Sequence, residues 1–408
     1  MENNSTVQAQ QIKTATPRSA IIILILSTAI MVAAGFANFK FPPLITDFLA
    51  YYGIEMGALS IVMSVFQWVC IIAMLPIGLL LSKYPAKLSG VVGAVCIILG
   101  NVIAIFAANI GLLVVSRVIE GLGYCVLQVL TQSLVTTAFQ NSKAKGTATG
   151  LLNTGMLFGQ MIHYNVAPRV VLTAGLEGVY LYIIAVIAVL AVLWAILIRG
   201  SMEARPGAGA PVDKAEKRRK TLAVYRTRDL WLVALAFAII RLAVANVGTN
   251  IPAYLSEVRG MSMVNASALT SVSTALGIAA LILYGTVSDA MKTKRKLMIF
   301  SCFSVIAVYL CLMHLPMHLL IIPIILYGTL PRAFTTLTFS CYPEIFEDRS
   351  LIPVAHSMVH FVANIFTTVG MIVYGYIIQY AGYDAVWYLV MVYGVIAAVL
   401  WIFVHKVK

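Results

Sequence analysis

The stretch Arg199–Arg228 reads RGSMEARPGAGAPVDKAEKRRKTLAVYRTR. Its Pro/Gly/Ala centre and its basic flank suit neither a packed helix nor a strand, so it reads as a linker. The sequence on either side is overwhelmingly apolar. The chain is therefore organised as two long apolar halves joined by one polar, positively charged connection.

Of 408 residues, 61% are hydrophobic and 11% charged, with a mean hydropathy of +0.95. A soluble domain carries about 25% charged residues, so this composition belongs to an integral membrane protein. Apolar runs of about 20 residues, each enough to cross a bilayer as a helix, recur along the whole length. Twelve are expected, at roughly 19–46, 56–82, 88–108, 111–139, 146–168, 177–199, 229–255, 264–288, 296–314, 319–342, 351–380 and 384–405. The basic residues test this count, because short cytoplasmic loops carry the Lys and Arg of a multi-pass protein. With the N-terminus inside, 22 of the 28 Lys and Arg fall in cytoplasmic segments, two (Arg169 and Arg259) in external loops, and four within apolar runs. The net charge of +13 is thus a topology signal that also favours anionic lipid head groups, and it gives no reason to invoke nucleic acid.

Residues 1–18 form a cytoplasmic arm, 19–199 a six-helix bundle, 200–228 the cytoplasmic linker and 229–405 a second six-helix bundle. The first apolar run is too long for a signal peptide and lacks a small-residue cleavage pattern, so the arm is expected to stay attached. The six cysteines lie in apolar runs without a CxxC, and read as small core residues rather than disulfides or metal ligands.

Shifted by 207 positions, the chain aligns with itself: Gly53 falls on Gly260, Lys87 on Lys294, Gly121 on Gly328 and Phe139 on Phe346. One extra residue early in the second half places Ala37-Asn38 on Ala245-Asn246. The loop after the second run spans Gly78 to Lys83, with Ser82 as its fifth residue, and its counterpart runs from Gly285 to Asp289 before Lys292. Both resemble the Gly-x-x-x-Asp-(Arg/Lys) loop motif of the major facilitator superfamily, and Arg117-x-x-Glu120-Gly121 resembles that family's second motif. The resemblance implies an all-α membrane fold of twelve helices in two pseudo-symmetric bundles, both termini cytoplasmic, with alternating access about a site near the midplane. It also implies conformational roles for Gly78, Gly285, Asp289, Arg117 and Glu120. Ser82 replaces the usual Asp of the first loop, which leaves that charge to Asp289. Asn38 to Pro42 resembles the Asn-x-x-x-Pro of proton-linked drug antiporters, but Ala33 stands where those carry an Asp, so a proton carrier of that kind is missing.

In this family the first, fourth, seventh and tenth helices line the cavity, and they hold the four embedded cations: Lys40, Arg117, Arg241 and Arg332. An ionised group facing lipid at mid-bilayer costs at least about 3 kcal/mol, so such residues face water, a partner or a ligand. Arg241 is expected about 18 Å into its helix and Arg332 about 20 Å into its own, both near the midplane. Lys40 lies about 30 Å along the first helix, where snorkelling to the outer interface competes with a cavity role. Arg117 has Glu120 one turn on, which points to a structural or conformational pair. The substrate-binding set expected from this reading is Arg241, Arg332, Lys40, Asn246 and Gln128. His360, about 14 Å into the eleventh helix with His356 a turn below, is a candidate proton carrier against the blander reading of a packed histidine.

These residues describe a secondary transporter in the cell membrane. It would move a small organic anion, a carboxylate by preference, through exchange or proton symport, acting as a monomer among membrane lipids. Efflux of amphipathic compounds is the alternative within transport, and a membrane-embedded ligand sensor the alternative outside it. No catalytic set, metal triad or cofactor motif stands in the sequence, so neither an enzyme nor a cofactor is expected.

Overall fold

The computed structural model describes residues 17–81, 84–139, 142, 144–198, 224–291, 294–332, 334, 337–338, 341–346 and 351–404. Among them every regular element is helical: α1 (Pro17–Asn38), α2 (Ile45–Tyr52), α3 (Met56–Leu81), α4 (Ala86–Ile105), α5 (Ile110–Ala138), α6 (Lys145–Leu197), α7 (Arg228–Glu257), α8 (Met263–Met291), α9 (Lys294–His314), α10 (Ile321–Thr329), α11 (Tyr342–Ile345) and α12 (Ile352–Ile402). Nine of the described helices are long and apolar enough to cross a membrane. Two of these, α6 and α12, each hold two spans folded at a single glycine, Gly175 and Gly382. With the shorter apolar helix through Met317–Thr329, the twelve spans of the sequence reading are present.

The internal repeat is written into the backbone. The glycines with positive φ are Gly53 (59°), Gly175 (66°), Gly260 (69°) and Gly382 (78°), which form two pairs separated by 207 positions. All four lie in turns at the end of the bundles opposite the linker, hereafter the far end. There the chain must reverse through a left-handed conformation that a side chain resists. Close helix contacts repeat at the same spacing. A Cβ on Gly121 would lie 3.3 Å from the Phe66 carbonyl, and one on Gly328 would lie 2.5 Å from the carbonyl of Ser273, the counterpart of Phe66. Two helices with no hydrophobic difference from the lipid around them associate through such backbone proximity.

Two helices depart from the lengths expected of them. α1 stops at Asn38 rather than near 46: the buried Pro42, Pro43 and Leu44 form a 3-10 turn, because neither proline can supply an amide to continue the α-helical ladder. α10 similarly passes at Leu330 into a 3-10 turn that includes Pro331 and the backbone of Arg332. Pro252, by contrast, remains inside α7.

The two halves meet at the far end. Among the described residues, the hydrogen bonds that cross between them run from Gly57 N to Gln379 Oε1 (3.1 Å), from Asn165 Nδ2 to Ser271 Oγ (2.8 Å), from Ser267 Oγ to the Pro43 carbonyl (3.5 Å), and from Gln379 Nε2 to Glu55. The cysteines are all free, four of them buried, as small core residues.

The packing yields a stability prediction. Gly328→Ala should lower the thermal unfolding temperature in detergent, at a cost of about 1–3 kcal/mol, because the Ser273 backbone cannot yield to a new methyl. Gly150→Ala, with nothing within 4 Å of the added Cβ, should leave that temperature unchanged or raise it slightly.

Candidate functional site

Two groups of embedded polar residues stand on opposite sides of the interface between the halves, and they differ in charge balance. The first is wholly buried in the N-terminal half. Glu120, on α5, accepts from Lys40 Nζ at 2.8 Å through one carboxylate oxygen and from Arg117 Nη1 at 2.7 Å through the other. Lys40 Nζ also donates to Asn101 Oδ1 of α4 at 3.0 Å, and Arg117 Nη1 to the Ala37 carbonyl of α1 at 2.9 Å. Side-chain exposure is 0% for Lys40 and Glu120 and 1% for Arg117.

Local sequence explains how three charges reach one point. The break after Asn38 turns the chain so that Lys40 leaves the α1 path and enters the bundle. Gly100 removes the side chain that would block Glu120, since a Cβ there would lie 2.5 Å from Glu120 Cγ. Aromatic faces replace part of the lost hydration: Lys40 Nζ sits 4.8 Å from the centre of the Tyr180 ring, and the Arg117 guanidinium 4.4 Å from that of Phe66 and 4.9 Å from that of Phe41. Each such contact is worth about 2 kcal/mol when desolvated. Arg117 Nε is buried without a partner among the described residues.

Lys40, expected either to snorkel or to join the substrate set, here donates to Glu120 and Asn101. Two of the four embedded cations therefore share one acid, and the Arg117–Glu120 pair is a cluster of three. His163 lies against the same turn, its Nε2 3.5 Å from the Lys40 carbonyl and its Nδ1 bonded to the Tyr182 hydroxyl.

The second group is on the C-terminal side. Arg241, midway along α7, is half-buried, and its Nη1 donates to His360 Nδ1 at 3.4 Å. Among the described residues it has no acidic partner, the ion pairs there being the two on Glu120. His360 is also half-buried and lies 4.4 Å, ring to ring, from the exposed His356, while Phe237 meets it edge-on at 5.8 Å. Arg241, His360 and His356 thus form a line that descends from mid-span towards the linker end. For Nδ1 to accept from Arg241, His360 must be neutral with its proton on Nε2. The opposite half contributes Tyr124 of α5, which is buried. Its hydroxyl donates to Met156 Sδ at 2.9 Å, and the same sulfur lies 3.8 Å from Asn38 Nδ2. Asn38 Oδ1 accepts from Gln67 Nε2 at 3.4 Å.

The remaining expected residues divide as follows. Gln128 is half-buried one turn below Tyr124 on α5. Gly78 lies in α3, where an added Cβ would meet Val129 at 4.0 Å among the described residues. Gly285, Asn246 and Asp289 are in helices α8, α7 and α8, and Arg332 is in the turn after α10, but the side chains of Asn246, Asp289 and Arg332 lie outside the described residues. Asn101, Gln67, Tyr124 and Met156 were missed by the sequence reading. Asn101 and Gln67 carried the one available signal, an amide within an apolar helix, where polar groups usually join helices together.

Comparison with known proteins agrees with this architecture. The profile of the Major Facilitator Superfamily matches residues 24–352. Among curated proteins, none matches the chain. Solved structures with the same fold include a bacterial homolog of the human lysosomal transporter Spinster in an inward-facing, unoccupied conformation. It is 14% identical, with a TM-score of 0.79, over 95% of this chain and 97% of that one. A mutant of the nucleoside transporter NupG is 14% identical, with a TM-score of 0.78, over 94% and 99%. The Spinster homolog in its occupied inward-facing form gives 12% and 0.75, over 97% and 98%. At these identities the likeness is one of fold.

The charge count in the buried cluster sets an order of stabilities. Glu120→Met strands two cations and should cost about 3–5 kcal/mol, whereas Arg117→Met leaves a balanced Lys40–Glu120 pair and should cost less. Thermal unfolding of the two purified variants decides it, and the reverse order would show that packing rather than charge dominates.

Proposed function

The chain belongs to the major facilitator superfamily, and from that premise we propose that it carries a small organic anion, a carboxylate by preference, bound near the midplane by Arg241. The family and fold make it a multi-pass secondary transporter rather than an enzyme. The observation behind the anionic cargo is the contrast between the two polar groups. The N-terminal cations are paired on Glu120, whereas Arg241 is half-buried with a histidine and no acid among the described residues. A guanidinium held at mid-span without a counter-charge suits bidentate recognition of a carboxylate. Arg332 is proposed as the second anchor, with Asn246 and Gln128 as neutral contacts.

Charge balance then supplies the reason for alternation. Two cations resist dehydration when the halves close around them, and a bound carboxylate removes most of that cost. An empty site should close poorly, which favours exchange, or symport with a proton for which His360 is the nearest carrier. A protonated His360 would lose its acceptor nitrogen, repel Arg241 and strengthen the pull on an anion. The charge pattern supports a cytoplasmic linker and cytoplasmic termini, and with that orientation the contacts at the far end correspond to an inward-facing state.

Arg241→Ala and Arg332→Ala should each abolish uptake of radiolabelled carboxylates into proteoliposomes while leaving the protein monodisperse on size exclusion. Arg241→Lys should retain a weak residual rate, since it keeps the charge but loses the fork. Normal uptake in both alanine variants would remove the anionic cargo. Dye efflux that persists in them, with no competition from carboxylates, would favour the export of amphipathic compounds.

A further inference from the structure

We propose that the N-terminal half holds a second subsite for the cargo, formed by the Asn38 amide and the Tyr124 hydroxyl around the sulfur of Met156. Its chemistry selects a carboxylate that carries a second, uncharged oxygen, as a hydroxyl or keto group. The inference rests on the anionic reading of Arg241 and states what the other end of that cargo must be.

Four helices of the N-terminal half bring polar atoms to one place. Asn38 is the last residue of α1, Gln67 is in α3, Tyr124 in α5 and Met156 in α6. The Tyr124 hydroxyl donates to Met156 Sδ at 2.9 Å, Asn38 Nδ2 donates to the same sulfur at 3.8 Å, and Asn38 Oδ1 accepts from Gln67 Nε2 at 3.4 Å. Asn38, Gln67 and Met156 are half-buried, so the cluster reaches a surface rather than closing on itself. That surface belongs to the side turned to the other half. On α3, Gly57 and Ser60 meet α12: Gly57 N donates to Gln379, and a Cβ on Gly375 would lie 1.9 Å from Ser60 Oγ. Gln67 stands about two turns beyond Ser60 on the same face. Depth agrees with this placement. Tyr124 is about 21 Å from the far-end start of α5 at Ile110, and Arg241 about 24 Å from the far-end terminus of α7 at Glu257. The two groups are therefore level on opposite halves.

A thioether is a weak acceptor, so two donors that share one sulfur retain most of their hydrogen-bonding capacity. An oxygen from the cargo would bond both more strongly, and the unbranched, flexible methionine side chain can turn aside to admit it. The charge already committed in this half selects the kind of oxygen. Lys40 and Arg117 are paired on Glu120, so among the described residues the subsite offers neutral donors. A second carboxylate would lose its hydration there without a counter-charge, whereas a hydroxyl or keto oxygen gives up little. A hydroxyl would also donate to Asn38 Oδ1, whose bond from Gln67 is long. With its carboxylate on Arg241 and its neutral oxygen on Asn38 and Tyr124, one molecule engages both halves. A plain alkyl carboxylate engages one.

The test measures dissociation constants by calorimetry on full-length protein in detergent, with butanoate, hexanoate and their singly hydroxylated and keto derivatives as probes. In the unsubstituted protein the best oxygen-bearing probe should bind on the order of tenfold more tightly than its plain parent. Tyr124→Phe and Asn38→Leu should each bring that ratio down to about twofold or less. Met156→Leu keeps the volume but removes the sulfur, which leaves both donors without it, and should raise the ratio about threefold; a methionine that only packs would not move it. Arg241→Ala should weaken plain and oxygen-bearing probes alike. If Asn38→Leu does not fold, Tyr124→Phe and Met156→Leu still move the ratio in opposite directions. Plain probes that bind as tightly as oxygen-bearing ones, or a ratio that Tyr124→Phe leaves unchanged, would overturn the subsite and leave the anionic reading of Arg241 intact. Failure of every carboxylate to bind would overturn the anionic reading and this inference with it.

Discussion

Burying a carboxylate between two cations constrains this molecule more than any apolar contact does. Leucine, isoleucine and phenylalanine exchange freely between lipid and protein, so they fill the bundle without choosing its geometry. Glu120 has no such freedom. Out of water it is tolerable only while Lys40 and Arg117 are within hydrogen-bond distance, and that requirement fixes the relation of α4, α5 and the end of α1. Glycine is needed at position 100 for the acid to fit, and the α1 helix must break for the ammonium to arrive.

Comparison of the two halves shows a common frame with different chemistry placed on it. Turn glycines, helix crossings and even the buried tryptophans Trp194 and Trp401 recur at the same spacing. The frame is therefore a property of close backbone approach, which side-chain chemistry can vary without disturbing. At the Glu120 position the second half substitutes a tyrosine that needs no counter-ion. Among the described residues, its embedded cation Arg241 is on α7, beside His360 and without an acidic partner. Among the described residues, one half thus holds its embedded charge compensated by its own acid, and the other holds a guanidinium beside a histidine.

How much of this could be read in advance varied with the range of the interaction. The twelve spans and the two-fold repeat depend on composition and period, and both survive translation into structure because each apolar run satisfies its own backbone as a helix. Arg241 at mid-span followed from counting residues along a helix. Its partner His360 did not, since it lies 119 positions away on another helix. The contacts of Lys40 could not be reached by counting either, because 1.5 Å per residue presumes an unbroken helix and α1 ends at Asn38, two residues before it.

What the sequence determined alone is that the chain crosses the membrane repeatedly, that it consists of two copies of one unit, and that four of its cations stand within apolar runs. These follow from hydropathy and from the cost of charge in hydrocarbon, both of which act residue by residue. What only the tertiary structure decided is that two of those cations, Lys40 and Arg117, share one acid. Whether a buried charge is neutralised depends on side chains 61 and 80 positions away along the chain arriving within about 3 Å, and no local property of the sequence encodes that meeting.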